Sequence, residues 1–251
     1  MILPHRASDI WVYLSANPLF WLTAVLVSYL FSDWLSEKSG RHPLVNTVAI
    51  SAAILSALIL LTGTSYQTFF DGAQFVHFLL GPATVALAIP LYRNLGRVRA
   101  NLMPMLFALT AGSITAIATA VSIAGVLGAP PAILASLAPK SATTPIAMSL
   151  AAAYGGIPSL SAVFVLMTGI FGAVIVSPLM NALGIRDFAA RGFAAGLAAH
   201  GLGTARAFQV DPTAGAFAGI ALGLNGAMTA IIIPVVLPFL LHLFSANGLT
   251  P

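Results

Sequence analysis

Long apolar runs, separated by short polar joints, follow one another along almost the whole chain. An α-helix needs about 20 apolar residues to cross the hydrocarbon core of a bilayer. The pattern predicts these hydrophobic segments: 18–35, 43–63, 73–92, 100–128, 131–156, 158–184, 192–208 and 213–245. We therefore expect membrane-embedded helices from one end of the chain to the other.

Composition agrees with this pattern. Hydrophobic residues make up 59% of the chain and charged residues 6%, whereas soluble domains carry about 25% charged residues. We expect an all-α, polytopic membrane fold of about six to eight hydrophobic segments in contact with membrane lipid. Residues 17–251 are expected to form a single transmembrane domain, after an N-terminal extension, residues 1–16, that lacks the features of a cleavable signal peptide.

The chain lacks the residues that several classes of protein function require. The ten basic residues behind the net charge of +4 are scattered between apolar segments and form no basic face, so we expect no nucleic acid partner. The chain contains no cysteine, which excludes disulfides and thiolate metal sites. It also contains no glycine-rich nucleotide loop, HExxH or GxSxG motif. We therefore expect no catalytic residue, no metal or other cofactor and no enzymatic activity.

Lysine and arginine concentrate in the first joint, in the third joint ("YRNLGRVRA") and in the sixth joint, which contains Arg186 and Arg191. The positive-inside rule places all three joints in the cytoplasm. If every segment crossed the membrane, however, the sixth joint would lie opposite the third. Either the sixth joint breaks the rule, or an intervening segment does not cross as a plain helix. Segment 131–156, with internal prolines, is the expected exception.

The stretch "SLAPKSATTPIAM", residues 136–148, contains this break. Pro139 and Pro145 each remove a backbone donor, and Lys140 lies about 14 Å of helical rise beyond the start of the segment, near the middle of the bilayer core. Thr144 followed by Pro145 is typical of an N-cap and a first helical position, where free N–H groups attract anions. The alternative is a lysine that reaches the interface and prolines that only kink a helix. The anion-binding interpretation assigns substrate contacts to Lys140, Ser141, Thr143, Thr144 and Pro145.

A second polar group lies in "RGFAAGLAAHGLGTARAF", residues 191–208. His200 follows Gly192 and Gly196 at four-residue spacing, so these residues share a face while the helix continues. Two further glycines weaken the helix before Arg206, which directs the guanidinium toward the same cavity. Arginine also suits bidentate binding of a carboxylate. The alternatives are an interfacial arginine and a core histidine that bonds a carbonyl.

Two weaker patterns complete the expectations. The stretch "LLGPATVALAIPLY", residues 79–92, partly matches residues 136–148, which suggests a second broken helix near Thr84 and an inverted repeat with halves 17–128 and 129–245. Asn225 follows glycines at four-residue spacing in "GAFAGIALGLNG". It is expected to contact either a substrate or a neighbouring helix.

Carboxylates are confined to the edges of the hydrophobic segments. All six acidic residues lie in joints, at segment ends or in the N-terminal stretch. No carboxylate is therefore expected at mid-membrane to bind sodium, to relay protons or to pair with Lys140. Basic residues within the membrane, without acidic residues there, favour an anionic transported substrate.

The stretches "LLGPATVALAIPLY", "SLAPKSATTPIAM", "GGIPSLSAVF" and "AAHGLGTARAF" resemble the signature segments of the LrgB family, in the same order along nearly the whole chain. This family includes bacterial CidB and YohK proteins and the membrane domain of the plastid glycolate/glycerate translocator. The resemblance implies one of two functions. One is transport of small hydroxy-carboxylates. The other is a holin-like or antiholin-like role, with a smaller LrgA- or CidA-like partner, in murein hydrolase export and autolysis.

The residues favour transport, because a holin-like pore needs no fixed mid-membrane cation beside broken helices. We expect a transporter of small monocarboxylates such as glycolate, glycerate, lactate or pyruvate, working as a homo-oligomer in the bacterial inner membrane. Lys140 and the half-helix would bind the carboxylate, and His200 and Arg206 would assist. Substrate hydroxyls would be bound by Ser141, Thr143, Thr144, Thr84 and Asn225.

Overall fold

The computed structural model describes residues 17–42, 45–79, 82, 85–86, 88–93 and 95–246, with the backbone alone for residues 77, 88, 90, 91, 245 and 246. Within these ranges all regular structure is helical, which confirms the predicted all-α membrane fold. The helices are α1 (Pro18–Lys38), α2 (Thr47–Thr62), α3 (Tyr66–Phe78), α4 (Ala88–Arg93), α5 (Leu95–Ala100), α6 (Leu102–Val126), α7 (Pro131–Leu137), α8 (Thr144–Ala153), α9 (Pro158–Ala182), α10 (Phe188–Val210) and α11 (Pro212–Ala246).

The chain forms two compact units, Met1–Ala86 and Leu87–Pro251. In the first unit, α1 packs against both α2 and α3. Trp21 is fully buried and meets the ring of Phe69 edge-on at 5.6 Å. Gly72 brings α3 against the carbonyl of Pro18, where a Cβ would overlap the oxygen. The joint predicted at residues 64–72 is therefore largely the first part of α3.

In the second unit, α6 and α11 run parallel through the core. Met105 and Leu109 pack with Phe217, while Ile117 and Val121, further along α6, belong to a cluster with α11 residues 232–244. Within the described residues of the whole chain, four helices are long and apolar enough to cross a membrane: Pro18–Lys38, Leu102–Val126, Pro158–Ala182 and the part Pro212–Phe244 of α11. We call the end of the second unit where α6 begins the arginine-rich end.

Helices α7 and α8 form a hairpin that enters the unit from the end opposite the arginine-rich end. Leu134 packs at the level of Ile117 and Val121, and the chain then turns at residues 138–143. It returns so that the backbone N–H of Ile157 donates to Ser136 Oγ at 2.7 Å. Gly156 permits this approach, because a Cβ there would lie 2.8 Å from the backbone nitrogen of Ser136. We call this element, residues 131–156, the first hairpin.

Helix α10 also folds back on itself. Its backbone leaves helical geometry at Ala199 and His200, and Gly203 then packs against Ala195, eight residues earlier. In a straight helix, residues eight apart are separated by about 12 Å. Residues 188–210 are therefore a second hairpin, which enters from the arginine-rich end. The helix of segment 192–208, which was expected to weaken at Gly201 and Gly203, is interrupted at Ala199 and His200.

The two hairpins make the second unit an inverted repeat. Helix α6 leads away from the arginine-rich end and is followed by the first hairpin, whereas α9 leads back to that end and is followed by the second hairpin. Val98 in the third joint and Ala189 in the sixth joint pack on the same cluster. These two arginine-containing joints therefore lie at one end, as the positive-inside argument requires once residues 131–156 do not cross.

Candidate functional site

Backbone hydrogen bonds between residues close in the sequence form the turn of the first hairpin. Lys140 N–H donates to the Leu137 carbonyl at 3.1 Å, and Ala142 N–H donates to the Pro139 carbonyl at 2.9 Å. Helix α8 then begins at Thr144, with Thr143 as its N-cap and no side-chain capping bond. The predicted break is present, and the half-helix starts one residue earlier than expected. Lys140 thus lies on an irregular backbone segment inside the helical unit.

Lys140 is half-buried on this turn. Its ammonium group lies 3.5 Å from the hydroxyl of Ser141, which is only 7% exposed. Among the described residues, the one ion pair joins Arg41 to Asp33, and no carboxylate lies against Lys140. The lysine therefore presents a positive charge beside hydroxyl and backbone groups.

Asn225 of α11 joins the two hairpins. Its amide nitrogen donates to the carbonyl of Ser141 at 2.9 Å and to the carbonyl of Leu197 at 3.1 Å. Its amide oxygen accepts from Ser113 Oγ of α6 at 2.7 Å. Both amide hydrogens are thereby used within the protein, so Asn225 positions the two turns. Ser113 was missed by sequence reasoning, since a lone serine in an apolar helix carries no motif.

His200 forms the turn of the second hairpin. Its φ is 42°, in the left-handed region that few residues other than glycine adopt. Its Nε2 lies 2.8 Å from the carbonyl of Val165 on α9, and its own carbonyl accepts from Thr204 Oγ1 at 2.9 Å. Gly169 makes room for the ring, because a Cβ there would lie 2.6 Å from His200 Cε1. This contact is the one expected from the alternative interpretation of His200, in which a buried core histidine bonds a carbonyl.

The residues that were expected to share one face of α10 contact two different helices. Gly192 and Gly196 contact the backbone of α11 at Ala214 and Ala218, where a Cβ on either glycine would overlap a carbonyl oxygen. His200 turns to α9 instead. The helix breaks at His200 itself, before the glycines that were expected to weaken it.

The remaining candidates are distributed around this centre. Thr143 is half-buried, whereas Thr144 and Pro145 are exposed. Arg206 lines a separate cavity with Arg191, at the arginine-rich base of the second hairpin. Thr84 lies outside the described residues. The structure therefore groups Lys140, Ser141 and Asn225 with the turn at His200, and it does not bring Arg206 to them.

This arrangement is suited to anions. A half-buried ammonium next to the Ser141 hydroxyl attracts negative charge. Turns of irregular backbone at membrane depth occur where they are buried in protein or line a watery cavity. The meeting point of the two hairpins therefore has the chemistry of an anion site.

Comparisons with known proteins identify the family. A model of the LrgB-like family matches residues 25–239. The chain belongs to the LrgB-like family. "Uncharacterized protein YwbG" of Bacillus subtilis is 34% identical over 80% of this chain and 90% of its own. "Antiholin-like protein LrgB" of Bacillus mycoides is 31% identical over 89% and 97%, and "Holin-like protein CidB" of Staphylococcus epidermidis is 28% identical over 90% and 97%. No solved structure matches the chain.

Proposed function

We propose that this LrgB-like membrane protein transports small monocarboxylates of the glycolate, glycerate, lactate or pyruvate type and catalyses no reaction. The observation that carries the proposal is the place of Lys140. It lies on the turn of a hairpin, beside Ser141 and without a carboxylate among the described residues. A carboxylate substrate would neutralise this charge and accept hydrogen bonds from the neighbouring hydroxyl.

The two hairpins supply a route for alternating access. They enter from opposite ends, and their turns are linked through Asn225. Opening the first hairpin would expose the Lys140 region to one side of the membrane, and opening the second would expose it to the other. Inverted repeats around a central site support this kind of transport in other membrane proteins. His200 assists by holding the second turn against α9.

Uptake by proteoliposomes tests this function. Purified protein would be reconstituted and given radiolabelled glycolate, glycerate, lactate and pyruvate, with protein-free vesicles as the control. We expect saturable uptake of at least one compound, and competition by the others. No uptake of any of the four, in either direction of a concentration gradient, would contradict the proposal.

The names of two relatives favour a second candidate function more directly. "Holin-like protein CidB" and "Antiholin-like protein LrgB" match almost over their full lengths. In this function the chain would assemble in the bacterial inner membrane with a small LrgA- or CidA-like protein and modulate murein hydrolase export and autolysis. Co-purification of a tagged chain with such a partner, together with altered lysis on deletion, would support it. Carboxylate uptake that needs no partner would favour transport instead.

A further inference from the structure

Ser161, near the start of α9, has a buried hydroxyl that the protein does not pair. The residue is 0% exposed, and its Oγ has no hydrogen-bond partner in the part of the chain that the structure describes. Serines in helices often donate to the carbonyl four residues earlier, as Ser136 and Ser149 do at 2.7 and 2.9 Å. For Ser161 that carbonyl belongs to Ile157, and it accepts the backbone N–H of Ser161 at 2.9 Å. Because a buried hydroxyl without a bond is costly, this position indicates a polar group supplied by a ligand.

The position of Ser161 along α9 lies between the contacts that this helix makes with the two hairpins. One turn earlier, the N–H of Ile157 donates to Ser136 Oγ of the first hairpin at 2.7 Å. One turn later, the carbonyl of Val165 lies 2.8 Å from His200 Nε2 of the second hairpin. Ser161 and Val165 belong to the same buried face of α9. Since four helical residues rise about 6 Å, Ser161 lies about 6 Å along α9 from each contact.

Lys140 lies at a similar depth in the second unit. It follows Ser136 by four residues, through the end of α7 and into the turn. Ser161 follows Ile157 by the same number of residues on α9. Both α7 and α9 lead inward from the end opposite the arginine-rich end, and the bond between Ser136 and Ile157 aligns them. The ammonium of Lys140 and the hydroxyl of Ser161 therefore belong to the layer in which the two hairpins meet.

We propose that Ser161 is a specificity-determining residue whose hydroxyl bonds the oxygen on the carbon next to the carboxylate of a 2-hydroxy- or 2-oxo-carboxylate. This inference rests on the proposed transport function, with Lys140 as the partner of the carboxylate. A serine hydroxyl can donate to an oxo oxygen and can donate to, or accept from, a hydroxyl. It therefore suits glycolate, lactate and pyruvate, whereas acetate and propionate would leave it unpaired. A site that bonds a substrate oxygen disfavours the analogue that lacks it.

Uptake of two matched pairs by proteoliposomes tests this role. The pairs are glycolate with acetate and lactate with propionate, and uptake by protein-free vesicles is subtracted. We expect the wild type to prefer the oxygenated member of each pair in kcat/KM. Ser161→Ala should lower kcat/KM for glycolate and lactate about tenfold, which corresponds to the loss of one hydrogen bond, and leave acetate and propionate unchanged. Ser161→Thr retains the hydroxyl and should keep more of the preference. Ser159→Ala is the matched control, since this serine of the same turn is exposed.

Thermal unfolding separates this role from a structural one. Ser161→Ala removes a hydroxyl that has no partner among the described residues, so Tm should stay unchanged or rise. Ser136→Ala loses two hydrogen bonds and should lower Tm. An equal loss of Tm in both variants would show that the Ser161 hydroxyl bonds within the protein, and the inference would be overturned.

The transport measurements distinguish failure of this inference from failure of the proposed function. If the wild type transports carboxylates but Ser161→Ala changes glycolate and acetate equally, or changes neither, Ser161 does not determine specificity and the transport function stands. If the wild type takes up none of the four compounds, the proposed function and the role of Ser161 are both wrong.

Discussion

Asn225 donates a hydrogen bond of 2.9 Å to the backbone carbonyl of Ser141, although 84 residues separate them in the sequence. The same amide bonds Leu197 in the second hairpin. Asn225 is 1% exposed, so these bonds form in a low-dielectric interior where unpaired carbonyls are costly. One side chain therefore fixes the relative position of the two turns.

Asn225→Ala should lower the free energy of unfolding by about 1–2 kcal/mol, because two carbonyls and the Ser113 hydroxyl lose their partner. Thermal unfolding in detergent measures the change. Thr119→Ala is the control, since that exposed threonine donates to the carbonyl of Thr115 in its own helix. Equal Tm values for the two variants would mean that the Asn225 bonds contribute nothing measurable.

Lys140→Ala should reduce carboxylate uptake by about tenfold or more while the protein remains folded, because the charge that would bind the substrate is removed. Lys38→Ala is a matched control. It is the other lysine of the chain, and it lies exposed at the end of α1, 4.7 Å from the Trp34 ring. Uptake by reconstituted vesicles gives the comparison. If the two variants transport equally well, Lys140 is not part of the substrate site.

The sequence predicts the break at Lys140 because its causes are local: Pro139 and Pro145 lie within a few residues of it. It does not predict the break at His200, whose causes are distant. The left-handed backbone of His200 is held by Val165 on α9 and given room by Gly169. The glycines nearby indicated weakness in α10, but only the packing of α9 and α11 determines where the chain reverses. The same reversal places Arg206 on the second arm of the hairpin, where it lines a separate cavity with Arg191.

His200→Gly should give a more stable protein than His200→Ala, by about 1 kcal/mol. A left-handed residue with a Cβ costs about 1–2 kcal/mol, whereas in an ordinary helix alanine is favoured over glycine by about 1 kcal/mol. Both variants lose the bond to the Val165 carbonyl equally, so their difference reports the backbone alone. Thermal unfolding measures it. The reverse order would indicate that α10 continues as a helix through residue 200.

Single cysteines in this cysteine-free chain can test the topology. Gly96→Cys and Arg186→Cys should be labelled from one side of the membrane, the cytoplasm, because the first hairpin does not cross. Leu127→Cys and Ile157→Cys, both exposed in the structure, should be labelled from the opposite side. An impermeant maleimide applied to oriented vesicles makes the measurement. Labelling of positions 96 and 186 from different sides would show that residues 131–156 span the membrane.

Gly196→Ala should destabilise the protein strongly, because its Cβ would overlap the carbonyl oxygen of Ala218 on α11. That oxygen belongs to the backbone, so α10 and α11 must move apart and lose their close packing. Gly223→Ala is the matched control, since a Cβ there meets nothing within 4 Å. Within a helix, this control substitution should be neutral or stabilising by up to about 1 kcal/mol. Thermal unfolding measures Tm of the two variants. We expect a lower Tm for Gly196→Ala and an unchanged or higher Tm for Gly223→Ala. Similar losses in both variants would contradict the close contact between the second hairpin and α11.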